Sequence, residues 1–116
     1  MFYMPFINVK VNVPVSPDKE EQIKSALGQA ISAIPGKSEN WLMVEIESAK
    51  KLWFKGSSSP CAMVDVSIFG KAAPSDYEKL TGKICSVLDD AISVSPSRTY
   101  VKYNEVSNWG WNSSNF

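Results

Sequence analysis

Hydrophobic and polar residues alternate in the first half of the chain in a strand–helix–strand pattern. Residues 7–13 alternate apolar and polar side chains, as a half-buried strand does. Apolar residues then recur at helical spacing between positions 23 and 34. Ser16-Pro17-Asp18 is a typical start for such a helix, and Pro35-Gly36 a typical stop. Trp41–Glu47 alternates again, which predicts a second strand.

The second half repeats this order after a predicted loop at 50–60, which contains Gly56-Ser57-Ser58-Ser59-Pro60. Residues 64–68 alternate as a strand. A helix is predicted from Pro74-Ser75 to about Ile92, with Ser75 and Glu78 as a capping box. Ser95-Pro96 ends it, and residues 99–104 are predicted as a fourth strand.

The two halves are copies of one unit. Pro17 matches Pro74 at an offset of 57 residues, and Ala30-Ile31-Ser32 matches Ala91-Ile92-Ser93 at an offset of 61. A strand–helix–strand unit places its two strands parallel with a right-handed crossover. The sequence therefore predicts an α/β fold with a four-stranded sheet and two helices on one face, as one domain over residues 1–116.

The alternation also predicts which side chains lie on the helix-free face of the sheet. They are mostly polar, with two methionines and a tyrosine among them: Asn8, Lys10, Asn12, Met43, Glu45, Glu47, Met63, Asp65, Ser67, Tyr100, Lys102 and Asn104. Solvent or other subunits could cover such a face, and periodicity does not choose between them.

Charge and composition narrow the function. The 116 residues carry a formal net charge of zero and include no histidine. No basic field attracts nucleic acid or an anionic membrane, so neither is an expected partner. Acid–base chemistry near neutral pH must use a carboxyl, a lysine, a thiol or a terminal amine. The brief apolar start fits neither a signal peptide nor a membrane span, and we expect a cytoplasmic protein, with release by a route that uses no signal peptide left open.

Several short motifs together resemble the macrophage migration inhibitory factor family of the tautomerase superfamily. They are, in order, Met4-Pro5-Phe6, Val13-Pro14, Gly36-Lys37, Gly56-Ser57-Ser58-Ser59-Pro60-Cys61-Ala62, Phe69-Gly70-Lys71, Arg98-Thr99-Tyr100-Val101 and Asn108-Trp109-Gly110-Trp111-Asn112. The resemblance implies a homotrimer with active sites between subunits. It also implies keto–enol tautomerisation of phenylpyruvate-like 2-oxo acids, with no metal or cofactor.

The family's catalytic base falls on Pro5. A proline nitrogen within a chain is an amide without basicity, whereas an N-terminal proline is a secondary amine. Here Met1-Phe2-Tyr3-Met4 precede Pro5 and form an N-terminal extension of the domain. Two explanations stay open: Met4 is the start and is removed, or the extension is real and the domain is inactive until trimmed. On spacing alone, Pro5 would merely open a strand.

The resemblance assigns further roles to three polar residues. Lys37 would hold the substrate carboxylate, although a lysine after a helix also suits the helix dipole. Tyr100, from a neighbouring subunit, would polarise the enolate oxygen or form the pocket wall, although a strand tyrosine at a subunit interface is the plainer interpretation. Lys102 replaces a family asparagine and adds a second cation near the site.

Aromatic residues fall on the family's pocket positions: Phe6, Trp41, Phe69, Trp109 and Phe116. Such walls bind an aryl substrate and lower the local dielectric constant, although core packing explains each residue singly. We expect the tail from residue 108 to 116 to dock on another subunit. Cys61 lacks the second thiol of a Cys-x-x-Cys motif, which argues against redox activity. A non-catalytic, cytokine-like binding module on the same trimer is the alternative function.

Overall fold

The computed structural model describes residues 4–116, so the first three residues of the predicted extension lie outside it. The strands and helices, in chain order, are β1 Pro5–Val11, α1 Pro17–Ala30, β2 Met43–Glu47, β3 Ala62–Phe69, α2 Pro74–Ile92, β4 Thr99–Val106, β5 Gly110–Trp111 and β6 Ser114–Asn115. Three short 3-10 turns lie at Ile31–Ala33, Glu39–Trp41 and Pro96–Arg98.

The main sheet has the strand order β2-β1-β3-β4. β1 pairs parallel with β2, and β3 pairs parallel with β4, which confirms the two predicted units. The units meet through β1 and β3, which run antiparallel. In this register Pro5 lies opposite Ile68, and Ile68 lies opposite Glu105. The start of β1 and the ends of β3 and β4 therefore lie together at one end of the sheet, along the strand direction.

One apolar core joins the two helices to one face of the sheet. The core residues of the sheet are the alternate apolar side chains of β1 and β3, such as Val9 and Val66. Leu27 of α1 and Leu80 and Ile84 of α2 lie in the same fully buried cluster. Both helices therefore cover the same face, as predicted, and burial of these side chains is the main stabilising contribution.

The two helices begin differently. The Ser16 side chain accepts a hydrogen bond from the Lys19 amide, 3.3 Å away, which confirms the predicted cap of α1. The predicted capping box of α2 is wrong. Pro74 is already the first helical residue, so the cap position falls on Ala73, which has no side-chain oxygen to offer.

Several strands begin or end at residues other than those predicted from the sequence. β1 begins at Pro5 and ends at Val11 rather than spanning 7–13. The Asn12 side chain instead bridges the 50–60 loop: it accepts from the Cys61 amide and donates to the carbonyls of Leu52, Ser58 and Ser59. β2 starts two residues later than predicted, because Trp41 lies in a 3-10 turn. β4 continues to Val106, and the C-terminal hairpin β5–β6 was not predicted.

The helix-free face carries a network of charges across all four strands. Lys102 on β4 contacts Asp65 on β3 at 3.1 Å, and Asp65 lies 3.8 Å from Lys10 on β1. Lys10 reaches Glu47 on β2 at 3.8 Å, and the buried Asn8 amide donates to the carboxylates of both β2 glutamates. These contacts confirm that the residues named lie on the predicted face, and Lys10, Glu47, Asp65 and Lys102 each have a partner of opposite charge within the chain.

Candidate active site

An apolar cavity of about 590 Å³ opens where β1 begins. Its walls come from the start of β1, the turn before β2, the end of β4 and the C-terminal hairpin. The lining residues are Met4, Pro5, Phe6, Asn40, Trp41, Leu42, Met43, Ser67, Val106, Trp109, Gly110 and Trp111. A concave, mostly apolar cavity with aromatic side chains and few polar groups is the usual form of a small-molecule site.

Pro5 is buried at the wall of this cavity as the first residue of β1. The register brings it opposite Ile68. Its nitrogen forms the peptide bond with Met4, whose carbonyl oxygen accepts a hydrogen bond of 3.1 Å from the Phe69 amide. In this chain the Pro5 nitrogen is thus an amide nitrogen, and it lies where an apolar cavity meets the sheet.

Lys37 is buried beside the same edge of the sheet, with 4% of its surface exposed. The 3-10 turn after α1 and Gly36, whose φ of 82° suits glycine, bring the chain back so that Lys37 points inward. Its Nζ donates to the carbonyl oxygen of Phe69 at 3.5 Å. Burial lowers the pKa of Lys37 from 10.5 to about 8. The lysine is mostly protonated at neutral pH and is poorly hydrated, although it does not itself line the cavity.

Four aromatic rings form a row that fastens the C-terminal hairpin to the domain. The Trp41 and Trp111 rings meet edge to face at 5.1 Å, the Trp111 and Phe116 rings stack at 6.2 Å, and Phe116 contacts Phe69 at 5.5 Å. Phe116 also donates its backbone amide to the Trp109 carbonyl. The tail therefore packs on its own chain. Trp111 and Phe116 remain partly exposed, and docking of this tail on another subunit stays a prediction.

The aromatic residues selected from the sequence divide into two groups. Phe6, Trp41 and Trp109 line the cavity, whereas Phe69 and Phe116 do not and lie in the ring row beside it. Phe69 contributes through its backbone, since its amide binds Met4 and its carbonyl accepts from Lys37.

Tyr100 and Lys102 lie far from Pro5 within one chain. Pro5 aligns across the sheet with Glu105, and Tyr100 is five residues earlier on β4. That separation is about 16 Å along the strand, and two strand spacings lie between. Tyr100 is 62% exposed and packs edge to face on Phe54, and Lys102 pairs with Asp65. Neither side chain can reach a ligand at Pro5 of its own chain.

Comparison with known proteins identifies the family. The sequence profile of macrophage migration inhibitory factor (MIF) matches residues 4–116, which is nearly the whole chain. The chain belongs to the MIF family. MIF of Meriones unguiculatus is 32% identical over 115 residues, covering 97% of this chain and 99% of the relative. The Rattus norvegicus protein is 30% identical with the same coverage.

The fold agrees with solved MIF structures. The crystal structure of Leishmania major MIF2 superposes with a TM-score of 0.91 at 30% identity, covering 97% of each chain. The MIF-like protein of Entamoeba histolytica superposes with a TM-score of 0.87 at 18% identity, covering 97% of this chain and 99% of that one. The likeness at 18% concerns the fold alone. The tautomerase-type α/β fold predicted from the sequence is thus confirmed.

Sequence reasoning missed several lining residues of this MIF-family cavity. Trp111 is one of them, although the motif around Gly110 already contained it. Met4, Asn40, Met43 and Ser67 also line the cavity. Asn40 lies in a turn without periodicity, and Met43 and Ser67 were assigned to the sheet face. Only the fold shows that this edge of the face is also the cavity wall.

Three further features concern metal sites, membrane spans and thiols. Within residues 4–116, no cluster of three or more histidine, cysteine or acidic side chains has the arrangement of a metal site. None of the helices described is both long and apolar enough to span a bilayer. Cys61 is buried just before β3 and Cys85 lies in α2, and both are free thiols.

Proposed function

We propose that this MIF-family protein is a keto–enol tautomerase for phenylpyruvate-like 2-oxo acids, with the amine of Pro5 as acid–base catalyst once Pro5 is the first residue. The observation that carries the proposal is the burial of Pro5 at the wall of an aromatic cavity, at the edge of the sheet where Lys37 is also buried. Family membership supports the same conclusion.

The terminal amine has suitable chemistry. An α-amino group titrates at about 7.7–8.0 before any perturbation. An apolar wall and a nearby ammonium both disfavour its charged form and lower that pKa. The free amine can then remove a proton from the carbon beside the keto group. The electron pair moves to form the enol double bond, and the ammonium of Pro5 returns the proton to the oxygen. No atom is gained or lost.

Lys37 suits the role of carboxylate anchor. Its ammonium donates a hydrogen bond to the Phe69 carbonyl, and because the side chain is buried, little water screens its charge. When Met4 is absent, the Phe69 amide loses its acceptor and becomes a second donor beside Lys37. An ammonium and a backbone amide beside the start of β1 can together hold a carboxylate. The aromatic walls at Trp41 and Trp109 would hold the aryl group.

A homotrimer is part of this proposal. Tyr100 cannot reach Pro5 in its own chain, but it is exposed on the sheet face, where a neighbouring subunit could receive it. Its hydroxyl would then stabilise the developing enolate oxygen. Lys102 lies two residues away on the same face, so it would approach the same neighbouring site as a second cation.

The test compares two chains of the same protein, one beginning at Met1 and one at Pro5. Phenylpyruvate tautomerisation is followed by absorbance of the enol. We expect activity only in the chain that begins at Pro5. The matched control is that shorter chain with an acetylated amine, which keeps every side chain and removes the base. Equal activity of the free and acetylated forms would disprove Pro5 as the base.

The alternative is a non-catalytic binding module on the same scaffold. One observation favours it: in this chain Met4 acylates Pro5 and its carbonyl is built into the sheet edge through Phe69. If the chain that begins at Pro5 forms trimers and shows no tautomerisation, this alternative becomes the better account.

A further inference from the structure

Met4 is buried although it stands before the first strand. Only 4% of its surface is exposed, and it is one of the lining residues of the cavity. A flexible thioether fills irregular apolar space well and makes favourable contacts with aromatic rings. The cavity it borders is lined by Trp41, Trp109 and Trp111, which offer such rings. Met4 is thus a buried part of the cavity wall rather than a surface residue.

The backbone of Met4 is held as well. Its carbonyl accepts from the Phe69 amide at 3.1 Å, and the Phe69 carbonyl accepts from Lys37 at 3.5 Å. Two groups here could bind an anionic ligand, the Phe69 amide and the Lys37 ammonium. The Met4 carbonyl occupies the first, and the second contacts the Phe69 carbonyl beside it. A ligand with an apolar body and a carboxylate needs the same two features that Met4 uses: apolar space and the donor on Phe69.

We propose that the Met4 side chain narrows this cavity and thereby lowers its affinity for aryl carboxylates for as long as Met4 remains joined to Pro5. The choice of aryl carboxylates rests on the proposed function. Acylation of Pro5 removes the base, whereas the Met4 side chain restricts binding, so two separate devices restrain the site.

The experiment separates the side chain from the blocked amine. The probe is 3-phenylpropionate, an aryl carboxylate with no keto group to react. Its binding is measured by tryptophan fluorescence and calorimetry on the chain from Met1, on the same chain with Met4→Ala, and on the chain that begins at Pro5. Met63→Ala is the matched control, since Met63 lies on the sheet face outside the cavity. Thermal unfolding checks that each variant is folded.

We expect Met4→Ala to bind the probe about tenfold more tightly than the unsubstituted chain, since an apolar space opened in a protein accepts an aromatic ring. Met63→Ala should bind like the unsubstituted chain. Met4→Ala should also remain inactive, because Pro5 is still acylated. Unchanged or weaker binding by a folded Met4→Ala chain would overturn the proposal.

If Met4→Ala does not fold, the chain that begins at Pro5 decides. Its acetylated form, which has neither the Met4 side chain nor a terminal charge, is compared with the chain from Met1. Tighter binding of the probe by the acetylated form supports the proposed role of the Met4 side chain, and equal binding overturns it. Failure of the proposed function has a different signature: the shorter chain binds the probe tightly and does not tautomerise phenylpyruvate.

Discussion

The Lys37 ammonium lies 3.5 Å from the carbonyl oxygen of Phe69, and this contact ties the turn after the first helix to the end of the third strand. The Phe69 amide in turn binds the carbonyl of Met4, the residue joined to Pro5. One residue thus connects the buried cation to the start of β1. The arrangement brings a lysine and a proline, 32 positions apart in sequence, to one edge of the sheet.

Replacement of Lys37 should weaken substrate binding more than turnover. In the chain that begins at Pro5, we expect Lys37→Met to raise the KM for phenylpyruvate about tenfold or more, because an anchor of a non-reacting carboxylate acts largely in the ground state. Steady-state kinetics measure both constants. Lys79→Met, at an exposed position of α2, is the matched control and should change neither. A KM unaffected by Lys37→Met would remove this lysine from the site.

The buried lysine should also make stability depend on pH. The folded pKa of Lys37, about 8, is below its usual value of 10.5, so between these pH values the unfolded chain binds more protons. The free energy of unfolding should therefore rise as pH increases from about 8 to 10.5. Below pH 8 the charged lysine costs at most about 3 kcal/mol.

The measurement is urea unfolding of the chain from Met1, with and without Lys37→Met, at several pH values. We expect Lys37→Met to stabilise the chain at pH 7, and the difference to shrink as pH approaches 10.5. A difference that stays constant over this range would show that the folded pKa of Lys37 is not lowered.

Tyr100 should act in the site of another subunit. We expect Tyr100→Ala, made in the chain that begins at Pro5, to lower kcat about tenfold or more by removing a donor to the enolate oxygen. Mixed oligomers of this variant with an acetylated-Pro5 chain should regain activity, because some sites combine an intact Pro5 with an intact Tyr100. If the activity of the mixtures never exceeds the summed activities of the two variants measured alone, a site shared between subunits is contradicted.

Asn12 should be important for stability and not for the cavity. Its side chain makes four hydrogen bonds that hold the 50–60 loop against the end of β1. At about 1 kcal/mol each, reduced where solvent reaches the bonds, Asn12→Ala should lower the free energy of unfolding by about 2–3 kcal/mol. Asn104→Ala, at an exposed position of β4, is the control and should have little effect. Denaturant unfolding of both variants provides the comparison.

The repeated alternation and the two helical stripes determined the architecture without any tertiary information. Periods of 2 and 3.6 residues report which side of an element is buried, and both helices proved to cover the face that carries Val9 and Val66. The helix between the two strands of each unit indicated that they pair parallel, and chirality indicated a right-handed crossover. The seven short motifs, taken together with the repeated strand–helix–strand unit, were sufficient to name the family.

The tertiary structure decided what the pattern could not. Periodicity is local, so it did not show that Trp111 meets Trp41, that Met4 lines the cavity, or that Phe69 works through its backbone. It also gave no distance between Pro5 and Tyr100, because that separation depends on the register of three strands. Sites assembled from distant segments follow from register and loop closure, and those are determined only when the whole chain packs.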